Sequence, residues 1–135
     1  MAAEKFVKAK EKFLTGAINL LTDDIKVVCV DHGVDTPNIE TDEFLSDIAE
    51  GARIATTGNL ANKSITGGVF DADPITMSAV VGDPFESIVM YKDTGDPATS
   101  PLIAYDDAAE GLPCTPDGTD ITITWSNGDN KIFAL

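Results

Sequence analysis

The chemistry available to this chain is sparse. It holds one histidine, His32, so a nucleophile paired with an imidazole base has to use that residue. Asp31 is adjacent, but neighbours in an extended segment point apart, and no Gly-x-Ser-x-Gly elbow is present. His32 is expected to be a surface or loop histidine, and no residue is assigned as catalytic. The two cysteines, Cys29 and Cys114, stand 85 positions apart with no companion at metal-ligand spacing. Cys29 lies in the apolar run Val27-Val28-Cys29-Val30 and reads as a small buried hydrophobe. Cys114, flanked by Pro113 and Pro116, falls in a loop. A disulfide between them is not expected in a chain made in a cytoplasm and lacking a dense cysteine framework.

Carboxylates are the remaining chemical candidates. Asp71-Ala72-Asp73, Asp93-Thr94-Gly95-Asp96, Asp106-Asp107, Asp117-Gly118-Thr119-Asp120 and Asn127-Gly128-Asp129 place acids on turns, where oxygen ligands for calcium are usually found. None has EF-hand spacing, and Asp with Gly is also what any tight turn uses. Few aromatics are present to line a sugar cleft beside a carboxylate pair. The sequence therefore assigns no metal ligand, no cofactor and no enzymatic activity.

Charge is distributed unevenly. The formal net charge is −14. Residues 1 to 12 carry Lys5, Lys8, Lys10 and Lys12 against Glu4 and Glu11, a balance of +2, whereas the other 123 residues carry five basic and 21 acidic side chains, a balance of −16. The acidic body repels phosphates and anionic lipid, so neither nucleic acid nor a membrane surface is an expected partner. No apolar run approaches the roughly 20 residues of a membrane span. Residues 2 to 12 are charged and lead into no long apolar stretch, so no secretory signal is readable.

The elements that position these groups follow from periodicity. Residues 4 to 21 place Phe6, Phe13, Ala17 and Leu20 on one stripe with Val7, Leu14, Ile18 and Leu21 alongside, which predicts an amphipathic helix interrupted near Thr15-Gly16. Packed on its own sheet, this helix is structural; reaching a neighbouring subunit, it is a basic arm with Lys5, Phe6, Lys8, Lys10, Lys12 and Phe13 as the partner-binding residues. Ile25 to Val30 predicts a strand buried on both faces. Thr41 is the expected N-cap of a short helix over 42–48 that buries Phe44, Leu45 and Ile48. Short strands are expected over 53–57, 63–66, 69–73 and 75–80.

The stretch Ser87 to Asp107 predicts a hairpin, Ile88 to Tyr91 against Leu102 to Tyr105 across a projecting loop, forming the middle of an antiparallel sheet. Ile121, Ile123 and Trp125 share one face of a last strand, with Trp125 as a core anchor. Asn127-Gly128 is a turn signal before a closing strand or tail at Lys131-Ile132-Phe133. At 135 residues the chain fits one acidic β-rich domain, residues 23–135, preceded by the arm of residues 1–22. The fold class is mainly β within α+β: an antiparallel β-sandwich or open barrel with an N-terminal helical arm and one short helix.

Long phrases of the chain, KFVKAKEKFLTGAINLLTDDIKVVCVD, GGVFDADPITMSAVVGDPFESIVMYKDTGDPATSPLIAYDD and GTDITITWSNGDNKIFAL, cover nearly all of it. They resemble a group of small tailed-bacteriophage structural proteins. The shared phrases fall at Val30-Asp31, Phe70 to Asp73, Tyr91 to Gly95, Ser100 to Tyr105 and Ile121 to Trp125. The resemblance implies a virion structural protein without catalytic or cofactor residues, made in the bacterial host cytoplasm. Its first reading is a capsid decoration or cement protein on the outer capsid surface. The expected partners are the major capsid protein and further copies of itself, with a trimer favoured. A tail or head-to-tail connector subunit is the alternative, and a calcium-dependent or carbohydrate-binding module the second.

Overall fold

The computed structural model describes residues 3–134. It is mainly β, with 31% of residues in strands against 11% in helices, and its antiparallel sheets form no closed barrel. Strand β1 (Glu4–Lys5) leads into helix α1 (Val7–Thr15). Then come β2 (Ile25–Val30), β3 (Arg53–Thr56), β4 (Ser64–Thr66), β5 (Val69–Asp71), β6 (Ile75–Met77), β7 (Ser87–Lys92), β8 (Leu102–Asp106), β9 (Ile121–Ile123) and β10 (Phe133–Ala134).

The largest sheet has the order β1-β8-β7-β2-β3, so the hairpin β7–β8 lies within it and β7 is its central strand. β2 and β7 pair in register from Ile25↔Lys92 to Val30↔Ser87. β2 is buried at every residue except Lys26, as its near-continuous apolar run requires of a strand covered on both faces. β10, β5 and β4 form a second sheet, and β6 with β9 a two-stranded ribbon. The core joins residues of all these layers, with Phe6, Phe70, Phe133, Ile25, Ile48 and Leu102 among its largest fully buried side chains. Each such side chain contributes roughly 1.5–3 kcal/mol on leaving water.

The expected helix over residues 4–21 is replaced by a shorter one. Glu4 and Lys5 are extended and pair with Tyr105 and Ala104 of β8. Phe6 is also extended, with its N–H donating to the Ile103 carbonyl at 3.0 Å. The helix then stops where Gly16 adopts φ 80°, a left-handed cap that glycine takes without penalty, and the Ala17 N–H returns to the Lys12 carbonyl at 2.9 Å.

The expected helix over 42–48 is absent too. Only Leu45–Asp47 forms a 3-10 turn. The Asp47 carboxylate accepts from the Glu43 and Phe44 amides at 2.8 and 2.9 Å, and the Asn38 side-chain oxygen Oδ1 accepts from the Glu40 and Thr41 amides. These side chains satisfy the amides that a helix start leaves open. The Leu102 N–H meanwhile donates to Glu43, holding this segment against β8. Leu45 and Ile48 are buried as expected, while Phe44 is half-buried. β6 ends at Met77 because Ala79 takes φ 49° and its N–H donates to Asp120. Trp125 is half-buried rather than a central anchor, its indole N–H donating to the Asp73 carbonyl at 3.2 Å.

Candidate interaction surface

The six residues assigned to a partner-binding arm have separate fates. Phe6 is 0% exposed. The Lys5 ammonium donates to the Ala134 carbonyl at 2.8 Å and lies 5.7 Å from the Phe133 ring centre. Lys12 pairs with Glu43 at 2.5 Å and sits 5.1 Å above the Phe44 ring. Phe13 packs on Phe133 with ring centres 6.2 Å apart, and Phe133 in turn meets Phe70 at 5.6 Å. Four of the six are thus held by the body of the same chain. The segment predicted as an arm is integrated into the fold, and Phe133, read from sequence as part of a closing strand or tail, is its main anchor.

Lys8 and Lys10 remain at the surface. Lys8 is 3.5 Å from Glu11, with side chains 42% and 61% exposed, a pair that contributes little to stability. Lys10 is exposed, and Val7 and Leu14 flank it at 38% and 89% exposure. Spacings of three and four put Val7, Lys10 and Leu14 on one outward stripe. The sequence pattern groups Val7 and Leu14 with the buried stripe; the packing of Phe6, Ala9 and Phe13 inward turns them out.

His32 does find a hydroxyl partner. Its Nε2 lies 2.8 Å from Ser87 Oγ, its backbone N–H donates to Glu86 at 2.8 Å, and its ring stacks on Tyr105 at 6.2 Å and 13°. That spacing is within a base–nucleophile range. Ser87, however, is 0% exposed at the head of the central strand, so its Oγ offers no approach to a substrate. The pair fastens the loop after β2 to β7. Burial and the hydrogen bond to Asp107 push the Tyr105 hydroxyl upward from its ordinary pKa, with the charges of Asp107, Glu4 and Asp106 adding to it.

The acid-rich turns are closed by their own carboxylates. Asp31, Asp93, Asp96, Asp106 and Asp117 each accept the N–H two residues on, at 2.8, 2.9, 2.9, 2.9 and 3.1 Å. Among the described residues no three His, Cys, Asp or Glu side chains converge as a metal site. The hydrogen bond from Lys26, 2.7 Å away, holds the Asp93 carboxyl below its usual range, helped by the Gly95 amide. Burial pushes the Asp42 carboxyl upward, and the charges of Asp47 and Asp35 add to this.

A cleft of about 650 Å³ opens between the large sheet and the β6–β9 ribbon. Its floor is Val27 and Cys29 of β2, Ile88 and Met90 of β7 and Ala104 of β8, and its walls are residues 121–126 and 108–112. Asp106, Glu110 and Lys131 also line it. Both cysteines border it as free thiols, and burial pushes the Cys29 thiol up to about 12, with a smaller contribution from Cys114. The pairing of floor and walls was not legible in sequence, since it joins segments distant along the chain. The chain matches no protein-family model and no curated protein.

Proposed function

We propose that this protein is a bacteriophage virion component that decorates the outer capsid face and stabilises the expanded head. The observation that carries the reading is the whole-chain resemblance, above all Tyr91 to Gly95 followed by Ser100 to Tyr105. Those residues occupy the central hairpin and its connecting loop, around which the rest of the chain packs. The acidic surface suits a protein that accumulates in solution before docking late and in many copies. The outward stripe of Val7, Lys10 and Leu14 supplies two apolar side chains with one positive charge between them, and a ligand bound only to the assembled shell stabilises it by mass action. Closed local symmetry, a trimer in the simplest case, fits such docking.

Cryo-electron microscopy of particles of the encoding phage tests the proposal. Density over the outer capsid face is expected; density confined to a ring at the portal or along the tail replaces decoration with the connector reading. A paired variant, Lys10→Glu with Leu14→Asp, is expected to fold normally and fail to join particles. Normal incorporation of that variant removes the helix stripe from the docking face.

A further inference from the structure

Asn127-Gly128, a turn signal in the sequence, does not form the hairpin turn it suggests. β9 pairs with β6 and β10 with β5, so the loop over 124–132 joins strands that are not neighbours. Neither Asn127 nor Gly128 takes the positive φ that a tight turn of this composition uses. Both are exposed, as are Ser126, Asp129 and Asn130. The loop is fastened at its ends: the Trp125 indole N–H donates to the Asp73 carbonyl and the Ile132 N–H to the Phe70 carbonyl. Between these anchors, among the described residues, the Gly128 N–H donates to Ser126 Oγ at 3.0 Å and the Lys131 N–H to the Gly128 carbonyl at 3.2 Å. Neither bond engages the Asn127 side chain, which stands in water.

An asparagine so placed reacts with its own backbone. The Gly128 nitrogen, once its proton has left to hydroxide, bonds to Asn127 Cγ; the Cγ–Nδ2 bond breaks and ammonia leaves. Water then opens the cyclic imide at either carbonyl, giving aspartate or isoaspartate, in which the main chain runs through Cβ and Cγ. Side-chain amides are thermally labile for this reason, and glycine offers no Cβ to crowd the attacking nitrogen. The other five asparagines precede Leu20, Ile39, Leu60, Lys63 and Lys131. Asn19 and Asn38 hold backbone amides with Oδ1, and Asn62 donates to Asp73. After Asn59 and Asn130, the Leu60 and Lys131 amides donate to the carbonyls of Ile25 and Gly128. At Asp117-Gly118, where the same ring could form, the carboxylate accepts from the Thr119 amide and the Gly118 N–H donates to the Val80 carbonyl at 2.8 Å.

We propose that Asn127 is a site of spontaneous deamidation restrained by the Ser126 hydroxyl, and that its isoaspartyl product loosens the turn leading into Phe133. The restraint follows from the bond to Ser126 Oγ, which holds the proton on the Gly128 nitrogen and has to break before the ring closes. The loosening follows from the anchors. Isoaspartate adds one main-chain atom between Trp125 and Ile132, which are held by Asp73 and Phe70, so the Gly128–Lys131 turn has to re-form around it. The new carboxylate also stands two residues from Asp129, adding to local repulsion. None of this depends on where the protein docks.

The test is peptide mapping by mass spectrometry of the full chain aged in warm buffer at pH 8. The peptide that contains Asn127 is expected to gain about 1 Da, as –NH₂ becomes –OH, and to split into two chromatographic forms. Asn19, Asn38, Asn59, Asn62 and Asn130 should stay intact over the same period. Gly128→Ala, whose methyl crowds the attacking nitrogen and stands 3.2 Å from Ser126 Oγ, should slow conversion about tenfold or more. Ser126→Ala should speed it about twofold or more. Both positions are exposed, so both variants should melt within a few degrees of the parent before ageing. In the aged chain the amides of 131–133 should exchange about tenfold faster than in fresh protein. Asn127→Asp, which carries the charge without the extra atom, should exchange as fresh protein does. An unchanged mass at Asn127, or faster conversion of another asparagine, overturns the site. Conversion no faster in Ser126→Ala removes the restraint, and equal exchange in aged and fresh protein removes the loosening.

Discussion

Replacing Phe133 by alanine tests whether the two chain ends are stapled together as the packing indicates. The ring is 1% exposed and touches Phe13 of α1 and Phe70 of β5, with the Lys5 ammonium over its face. Truncating a buried phenylalanine to alanine costs about 3–5 kcal/mol through lost transfer energy and the cavity left behind. Within that, each aromatic pair contributes about 0.5–1.5 kcal/mol. An unfolding entropy of about 2.1 cal/mol/K per residue gives this chain about 0.28 kcal/mol/K, so the melting temperature should fall by roughly 10–18 °C. Amides of α1 should also lose exchange protection, because Phe13 loses its partner. Leu14→Ala is the matched control: at 89% exposure the leucine forfeits about a tenth of its burial energy, about 0.3 kcal/mol or less, and the transition should move by about 1 °C. Calorimetry and urea titration measure both. A fall below about 3 °C for Phe133→Ala, or equal shifts for the two variants, would refute the packing of the chain termini against each other.

Titration should separate Asp93 and Asp42. Asp93 is held below its usual pKa, so its contribution to stability is present above about pH 4, its unfolded range, and is lost as pH falls through the lower folded value. Asp93→Asn should therefore destabilise at pH 7, and the loss should shrink as pH falls below the usual carboxylate range. Asp42 is raised, so its ionised form is disfavoured in the fold and costs stability above the unfolded pKa. Asp42→Asn, keeping an oxygen for the Asn38 amide, should raise the melting temperature slightly at pH 7 and leave it unchanged at pH 3; a loss at pH 7 would contradict this. For the thiols, a colorimetric disulfide reagent at pH 8 should react promptly with half-exposed Cys114 and only after unfolding with Cys29, whose thiol burial pushes up to about 12. Rapid reaction of both in the folded protein would contradict the buried placement of Cys29. His32→Ala should lower stability by about 1 kcal/mol through its bond to buried Ser87, and a neutral effect would show that the pair does not fasten the loop.

Local pattern was enough to determine the antiparallel β character, the strand Ile25–Val30, the hairpin from Ser87 to Asp106 and its place inside the sheet. Those segments carry continuous β-branched or aromatic runs bounded by Asp, Gly and Pro, so propensity and burial favour the same state. Local pattern failed where a distant partner outweighed it. Glu4 to Phe6 has helical periodicity, yet β8 offers backbone bonds and a buried site for the Phe6 ring, and the chain stays extended. Thr41 to Ile48 has a helix-start composition, yet the Asp47 carboxylate and the edge of β8 take its amides and carbonyls. Composition identified the basic start and the acidic remainder, because charge is additive along the chain. Which lysines are free is a different question, decided by Glu43, Phe44, Phe133 and Ala134, residues between 31 and 129 positions away. The same holds for Ser87 beneath His32 and for the cleft along β9: these pairings join segments far apart in the chain, so the register that unites them exists only in the tertiary fold.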